Sequence, residues 1–218
     1  MAVIVVMNTG GIAGTNCYLI GDDPTKQAVV FDAPDNTALP LLDEAAKRGL
    51  DVIGLWLTHG HFDHVADHEV VAKRFPKAKV LMHRLDESKL VDPASSTFVL
   101  PFTIPPRRAD EYVEDGQTLS LGGLRVEVIH TPGHSPGHVM YHFPQEKLLV
   151  GGDLIICGAV GRTDLPDSDP AQLNASIRKI MSLPPDTKLL PGHCEVSTLE
   201  QERRTNPYVH EAMNSALT

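Results

Sequence analysis

Thr58-His59-Gly60-His61-Phe62-Asp63-His64 is the stretch on which the reading of this chain turns. Four side chains able to bind a metal ion, His59, His61, Asp63 and His64, fall within six residues, directly after the apolar run Val52 to Leu57. In an extended segment residues i and i+2 point the same way, so His59 and His61 can grip one ion together. Asp63 and His64 lie where the chain turns into the next helix, and can face a second ion beside the first. A single histidine after a strand reads as a surface residue; four ligand types bunched behind a buried strand do not. Imidazole nitrogens and carboxylate oxygens are the donors of zinc sites, and a catalytic site keeps one position open for water.

Working outward, three residues of the same chemistry stand at strand ends. His134 closes Thr131-Pro132-Gly133-His134, Asp153 follows Gly151-Gly152, and His193 follows Leu189-Leu190-Pro191-Gly192. Each alone reads as a cap or turn residue, but strand-end loops gather at one edge of a sheet and these complement the dense box. His138 repeats the Pro-Gly-His pattern four residues after His134, and is expected to orient a ligand or substrate rather than to bind metal. His68, His83, His130, His142 and His210 match no motif and read as structural or surface residues.

The surrounding pattern supplies the scaffold. Val3 to Val6, Cys17 to Ile20 and Ala28 to Phe31 read as strands bounded by Gly, Asp or Pro. Ala38 to Arg48 reads as a helix with Leu39, Leu42, Ala45 and Ala46 on one face and Gly49 as its cap. Val70 to Phe75 reads as helix, Val80 to Met82 as a short strand, and the Pro-rich stretch Asp92 to Arg108 as a loop over the site. Gln117 to Leu121 and Leu124 to Ile129 flank Gly122-Gly123, a hairpin signal. Val139 to His142 and Leu148 to Val150 add strands. Asp169 as N-cap, Pro170 at the first helical position and Leu173, Ile177 and Met181 on one face define a late helix. Strand-rich halves each followed by helices fit an α+β fold, an αββα sandwich of two mixed sheets with helices outside. Gly10-Gly11 and Gly14 lack the strand and helix context of a nucleotide loop and read as a turn.

Bulk properties narrow the function. At 218 residues the chain is read as a single domain, residues 1–218. A net charge of −9 with thinly spread Lys and Arg leaves no basic stripe for nucleic acid. The N-terminal apolar run, Ala2 to Met7, is too short for a signal-peptide core, and no stretch is long enough to cross a membrane. Three scattered cysteines, Cys17, Cys157 and Cys194, suggest no disulfide framework and read as small buried residues. The expectation is a cytoplasmic protein with a small-molecule substrate, its oligomeric state left open.

The chain resembles the metallo-β-lactamase superfamily, and within it the compact, single-domain glyoxalase II-like (hydroxyacylglutathione hydrolase) branch. The resemblance rests on Asn16-Cys17-Tyr18, the box from Thr58 to His64, Thr131 to His138, Gly152-Asp153, Gly161-Arg162-Thr163-Asp164, Pro191-Gly192-His193 and Ser197-Thr198-Leu199. It implies that His59, His61 and His134 hold one metal, that Asp63, His64 and His193 hold the other, and that Asp153 bridges them. A bridging carboxylate lowers the repulsion between cations some ~3.5–4 Å apart. The cofactor implied is a pair of divalent ions, zinc first, with iron or manganese as alternatives. The implied reaction is hydrolysis of a thioester such as S-D-lactoylglutathione by a hydroxide held between the ions, with Asp63 as the catalytic residue that orients it. Arg162 is the candidate for substrate binding, an ion pair with Asp164 being its other reading.

The chain departs from that pattern in Val65-Ala66-Asp67-His68, where many relatives carry Gly, and in Cys194, at a position that is often Gly. It also lacks the C-terminal basic helical region of the two-domain enzymes. The rival reading is a mononuclear iron persulfide dioxygenase held by His59, His134 and Asp153. That would leave His61, Asp63, His64 and His193 surplus, which favours the hydrolase.

Overall fold

The computed structural model describes residues 3–95 and 98–215. Ala2, at the head of the first apolar run, and Ser96-Thr97, inside the loop expected at Asp92 to Arg108, lie outside the described residues. Strands β1 (Val3–Gly10), β2 (Thr15–Asp22), β3 (Gln27–Phe31), β4 (Asp51–Trp56), β5 (Lys79–Met82) and β6 (Glu111–Tyr112) form one sheet in sequence order. Its first three strands are antiparallel and its later pairings parallel. The second sheet contains β7 (Thr118–Leu121), β8 (Leu124–His130), β9 (Val139–Phe143) and β10 (Leu148–Gly152). After a short hairpin, β11 (Ile155–Ile156) with β12 (Ala159–Val160), it is completed by β13 (Lys188–Pro191) and β14 (Ser197–Thr198), in the order β14-β13-β10-β9-β8-β7.

Alternation of side chains along each strand explains why both sheets are covered twice. Tyr18, Ile20, Val29 and Phe31 face the other sheet, while Cys17, Leu19, Ala28 and Val30 pack beneath the helices. Those helices are α1 (Ala38–Lys47), α2 (Phe62–Val65), α3 (His68–Arg74) and α4 (Glu87–Val91) on the first sheet. On the second lie α5 (Pro170–Ile180), α6 (Leu199–Thr205) and α7 (Pro207–Asn214). The result is the αββα sandwich, with three apolar layers between four layers of structure. Among the described residues no helix is long and apolar enough to cross a membrane.

Phe31 centres the layer between the sheets, its ring 5.5 Å from Trp56, 5.2 Å from Tyr141 and 6.0 Å from Phe143. Polar ties then join the two sheets at one edge. Tyr141 Oη donates to the Leu57 carbonyl at 2.9 Å and Tyr18 Oη to that of Pro191 at 2.7 Å. The Val139 amide donates to the Thr58 carbonyl at 2.8 Å and the Asn16 amide to that of Gly192 at 2.7 Å. All four anchor segments that lead into candidate ligands.

Three local expectations need correction. Helix α1 buries Ala38, Leu41, Leu42 and Ala45, whereas Leu39 is 54% exposed and Ala46 exposed. The set starting at Ala38 and the set read from Leu39 each hold two Leu and two Ala, and packing on the sheet selects the first, so the face is rotated by one residue. Cys17 is buried as expected, but Cys157 is half-buried and Cys194 exposed. Cys194 also adopts a φ of 63°, the left-handed turn conformation that explains why glycine suits that position. Helix α3 begins at His68, two residues before the expected start, because the buried His68 ring is held by the Pro105 carbonyl at 2.8 Å.

Replacing Phe31 by Ala is expected to cost about 3–5 kcal/mol in denaturant unfolding, since the cavity lies at the meeting point of three other rings. A cost below about 1 kcal/mol would show that the inter-sheet layer repacks freely.

Candidate metal centre

The seven candidate ligands come from four strand ends and one short helix, all at the tied edge. His59 and His61 follow β4, Asp63 and His64 lie in α2, His134 follows β8, Asp153 follows β10 and His193 follows β13. Their donor atoms form three overlapping triads, each with all atoms within 4.8 Å: His59/His61/His134, His59/His64/Asp153 and Asp63/His64/His193. The first and third correspond to the two halves that the resemblance implies. Asp153 lies against both: Oδ1 is 3.4 Å from His64 Nε2, and Oδ2 is 3.5 Å from His134 Nε2 and 3.3 Å from His193 Nε2. His193 Nε2 is also 3.4 Å from Asp63 Oδ2.

The donor set fits cations. His59 Nε2, His64 Nε2 and Asp153 Oδ1 are buried without a hydrogen-bond partner, and all three belong to one triad. An unpaired buried polar atom costs on the order of 1–3 kcal/mol, so three aimed at one point require a common partner. Metal–nitrogen bonds of about 2.0–2.1 Å in a tetrahedron place ligand atoms about 3.3 Å apart. The distances around Asp153 and His193, 3.3–3.5 Å, are of that size. Close approach of the backbone also leaves no room for side chains here: a Cβ on Gly192 would stand 2.1 Å from Asp153 Oδ1, and one on Gly161 would stand 2.9 Å from His134 Cγ.

Three of the rings, His59, His64 and His134, are aimed by a partner on the far nitrogen. Thr58 Oγ1 donates to Asp32 Oδ2 at 2.8 Å, so it accepts from His59 Nδ1 at 3.0 Å and leaves Nε2 as a lone pair facing the cluster. His64 Nδ1 donates to Asp32 Oδ2 at 2.9 Å, and His134 Nδ1 to the Arg162 carbonyl at 2.8 Å. His138 occupies both its nitrogens: Nε2 accepts from the Asp153 amide at 3.0 Å and Nδ1 donates to Thr131 Oγ1 at 2.8 Å. It therefore positions the Asp153 backbone. Thr15 Oγ1 donates to Asp63 Oδ2 at 2.9 Å.

Two residues that the sequence reading passed over hold this arrangement. Asp32, buried with φ 56° at the end of β3, takes the Thr58 amide at 2.8 Å besides Thr58 Oγ1 and His64. Its signal was available, since it follows a buried strand just as Asp153 does. Asp86 accepts from the Gly60 amide at 2.9 Å, Ser135 Oγ at 2.7 Å and the Gly137 amide at 2.7 Å, clamping the histidine box to the loop that carries His134 and His138. It sits in the charged run Arg84-Leu85-Asp86-Glu87 and carries no comparable signal. Arg162 contributes its carbonyl to the centre, while its exposed guanidinium forms a two-point pair with Asp164 at 2.6 and 2.7 Å.

Electrostatics divides the histidines. Burial, reinforced by neighbouring His64 for His59 and by His134 for His61, holds both rings low, His61 at about 4. Burial also opposes charge on His64 and His193, but Asp153 and Asp63 outweigh it and raise both, His193 to about 10. Burial pushes Asp63 up, yet His64 and His193 bring it down to about 2. The metal-free centre at neutral pH is therefore a mesh of imidazolium and carboxylate in which protons stand where cations belong.

Fold and cluster together define a class: a sandwich scaffold that holds divalent metal ions at one sheet edge. The chain belongs to the metallo-β-lactamase superfamily, whose pattern matches residues 10–193. It is 34% identical to hydroxyacylglutathione hydrolase GloC of Haemophilus influenzae over 89% of this chain and 92% of that one. Among solved structures, BLEG-1 B3 metallo-beta-lactamase is 34% identical with a TM-score of 0.87, the match covering 94% of this chain and 99% of that one. TTHA1623 in a di-iron-bound form is 36% identical with a TM-score of 0.82, covering 94% and 100%.

Two outcomes follow. Asp32→Asn offers an N–H where Thr58 and His64 need an acceptor, and is expected to weaken metal binding about 10- to 100-fold in chelator competition; unchanged affinity would show that His64 is aimed by packing alone. Loading the metal-free protein at pH 7 should release about two protons, from His64 and His193, read by calorimetry in buffers of different ionisation enthalpy. Because His193 is raised, its contribution to metal-free stability is full below about 6.5 and lost as pH rises through about 10. Metal uptake without proton release would contradict this charge state.

Proposed function

We propose that this protein is a thioester hydrolase of the glyoxalase II-like branch, acting with two divalent ions, zinc in the first instance, held by the seven residues. The observation that carries this reading is the complete Asp63/His64/His193 triad beside the His59/His61/His134 triad, with Asp153 against both. A dioxygenase centred on one iron uses two histidines and a carboxylate, and gives the Asp63 triad no task. Similarity to GloC supports a thioester substrate, and the di-iron form of TTHA1623 supports two ions on this scaffold.

The reaction is R–CO–SR′ + H2O → R–COOH + R′SH. The ions, when bound, supply the acidity that turns a water into hydroxide near neutral pH and the charge that polarises the thioester carbonyl. Asp63 orients the attacking oxygen, Thr15 Oγ1 fixing the carboxylate at Oδ2. His138 keeps Asp153 in register through the amide bond. The thiolate that departs has a parent thiol pKa near ~8.5 and needs no proton donor. His138, with both nitrogens engaged, offers none. Arg162, on the exposed side, is the proposed contact for a carboxylate of the thiol carrier, exchanging Asp164 for it.

The test compares protein loaded with zinc and with ferrous iron, following thiol release from S-D-lactoylglutathione, oxygen uptake with glutathione persulfide, and opening of a β-lactam. Thiol release by wild type, lost by at least about 100-fold in Asp153→Ala together with one metal per chain, is the expected result. Iron-dependent oxygen uptake or β-lactam opening without thioester cleavage would overturn the assignment.

A further inference from the structure

A pocket of about 280 Å³ opens beside His61. Its walls are Phe62 from the histidine box, Pro93 and Phe98 from the segment after α4, Leu165 and Pro166 from the loop before α5, and Lys89 of α4. A group that enters it is presented directly to the metal centre, because His61 is part of both. Phe62 and Phe98 meet with their rings tilted by 57° at a centroid distance of 5.3 Å and give the pocket an aromatic side. Pro93 and Phe98 also line a second hollow, whose other lining residues between Ala94 and Ile104 are apolar apart from Thr103.

Lys89, the ammonium in the lining, is already engaged twice. Its Nζ lies 2.5 Å from Asp167 Oδ2, on the pocket wall, and 3.3 Å from Asp86 Oδ1. Asp86 is buried and kept as a carboxylate by the Gly60 and Gly137 amides and the Ser135 hydroxyl. Two carboxylates thus occupy the ammonium of the lining, so an anionic group entering here finds it already paired and would have to displace Asp167 to use it as an anchor. The Arg162 guanidinium is not part of this lining, and its Cζ lies 5.8 Å from the centroid of the Phe98 ring.

We infer that this pocket is the acyl subsite, and that it selects thioesters whose acyl group is apolar, uncharged and of medium length, with the thiol carrier left on the Arg162 side. The inference rests on the thioester reading and deepens it. A cavity of roughly 150 Å³ accommodates benzene, so about 280 Å³ admits an acyl group of roughly ten heavy atoms. A lactoyl group fills only a fraction of it. Each methylene moved from water into such a lining is worth about three- to fourfold in binding, so hexanoyl should exceed acetyl on the order of 100-fold in kcat/KM.

The test uses the metal-loaded protein with N-acetylcysteamine thioesters of acetate, butanoate, hexanoate and succinate, the last matching butanoate in carbon count but carrying a charge. Rates should rise with chain length, and succinyl should fall at least about tenfold below butanoyl. Phe98→Ala, which removes the aromatic wall, and Leu165→Phe, which fills the pocket, should each reduce the hexanoyl-to-acetyl ratio at least about fivefold; either variant suffices if the other does not fold. In parallel, calorimetric binding of acetohydroxamate and hexanohydroxamate, whose head groups seek the metals, should favour the longer tail at least about tenfold. A flat chain-length profile with thioesters still cleaved, or succinyl outpacing butanoyl, overturns the acyl subsite and leaves the thioesterase reading standing. No cleavage of any thioester defeats that reading instead. The hydroxamates then decide the pocket alone: a tail-length dependence upholds it, and equal affinities reject it.

Discussion

Three buried atoms without partners, His59 Nε2, His64 Nε2 and Asp153 Oδ1, set the constraint on which this structure depends. Such atoms side by side, shut off from solvent, call for something of positive charge among them. Three further histidines, His61, His134 and His193, with Asp63 beside them, deepen the same demand. The physical answer is positive charge of high density. Without cations, protons on His64 and His193 fill the role, while burial, with neighbouring His64 and His134 adding to it, holds His59 and His61 low in the same small volume.

Holding seven donors at coordination distances requires a frame that does not relax. The sandwich provides it by joining its two sheets at the ligand-bearing edge, through Tyr18, Tyr141, Asn16 and the Thr58 carbonyl. Asp32 and Asp86 then serve as paired clamps, the first between β3 and the histidine box, the second between the box and the loop after β8. Both are buried carboxylates satisfied by several donors, so neither charge is left bare. Rigidity extends to the glycines, because Gly161 and Gly192 lie where any side chain would strike the ligands.

Much of this was legible in the sequence, for reasons that differ from element to element. The histidine box is decisive because a surface turn has no physical reason to gather four ligand-type side chains directly behind an apolar strand. The αββα layering followed from alternating strands and from the Gly122-Gly123 hairpin, where Gly122 indeed takes a φ of 58°. Local periodicity was less decisive in α1, where two apolar faces one residue apart compete and only the sheet beneath selects between them. Short elements such as α4, α6 and α7 carried too few residues for a period to show. Asp86 was invisible because its importance lies in what folds over it, and Cys194 was misjudged because its backbone angle, not its side chain, is what the turn needs. Arg162 shows a different limit: the motif draws attention to its side chain, and gives no sign that its carbonyl holds His134.

The central claim is that two cations lie at this edge with Asp153 between them, and a crystal of protein purified without chelator tests it most directly. Anomalous difference maps collected at the zinc and iron edges would show where heavy scatterers sit. The account predicts two peaks about 3.5–4 Å apart, one within the His59/His61/His134 triad and one within the Asp63/His64/His193 triad, each bonded to Asp153. A single peak confined to His59, His134 and Asp153, with the Asp63 triad empty at full loading, would contradict it.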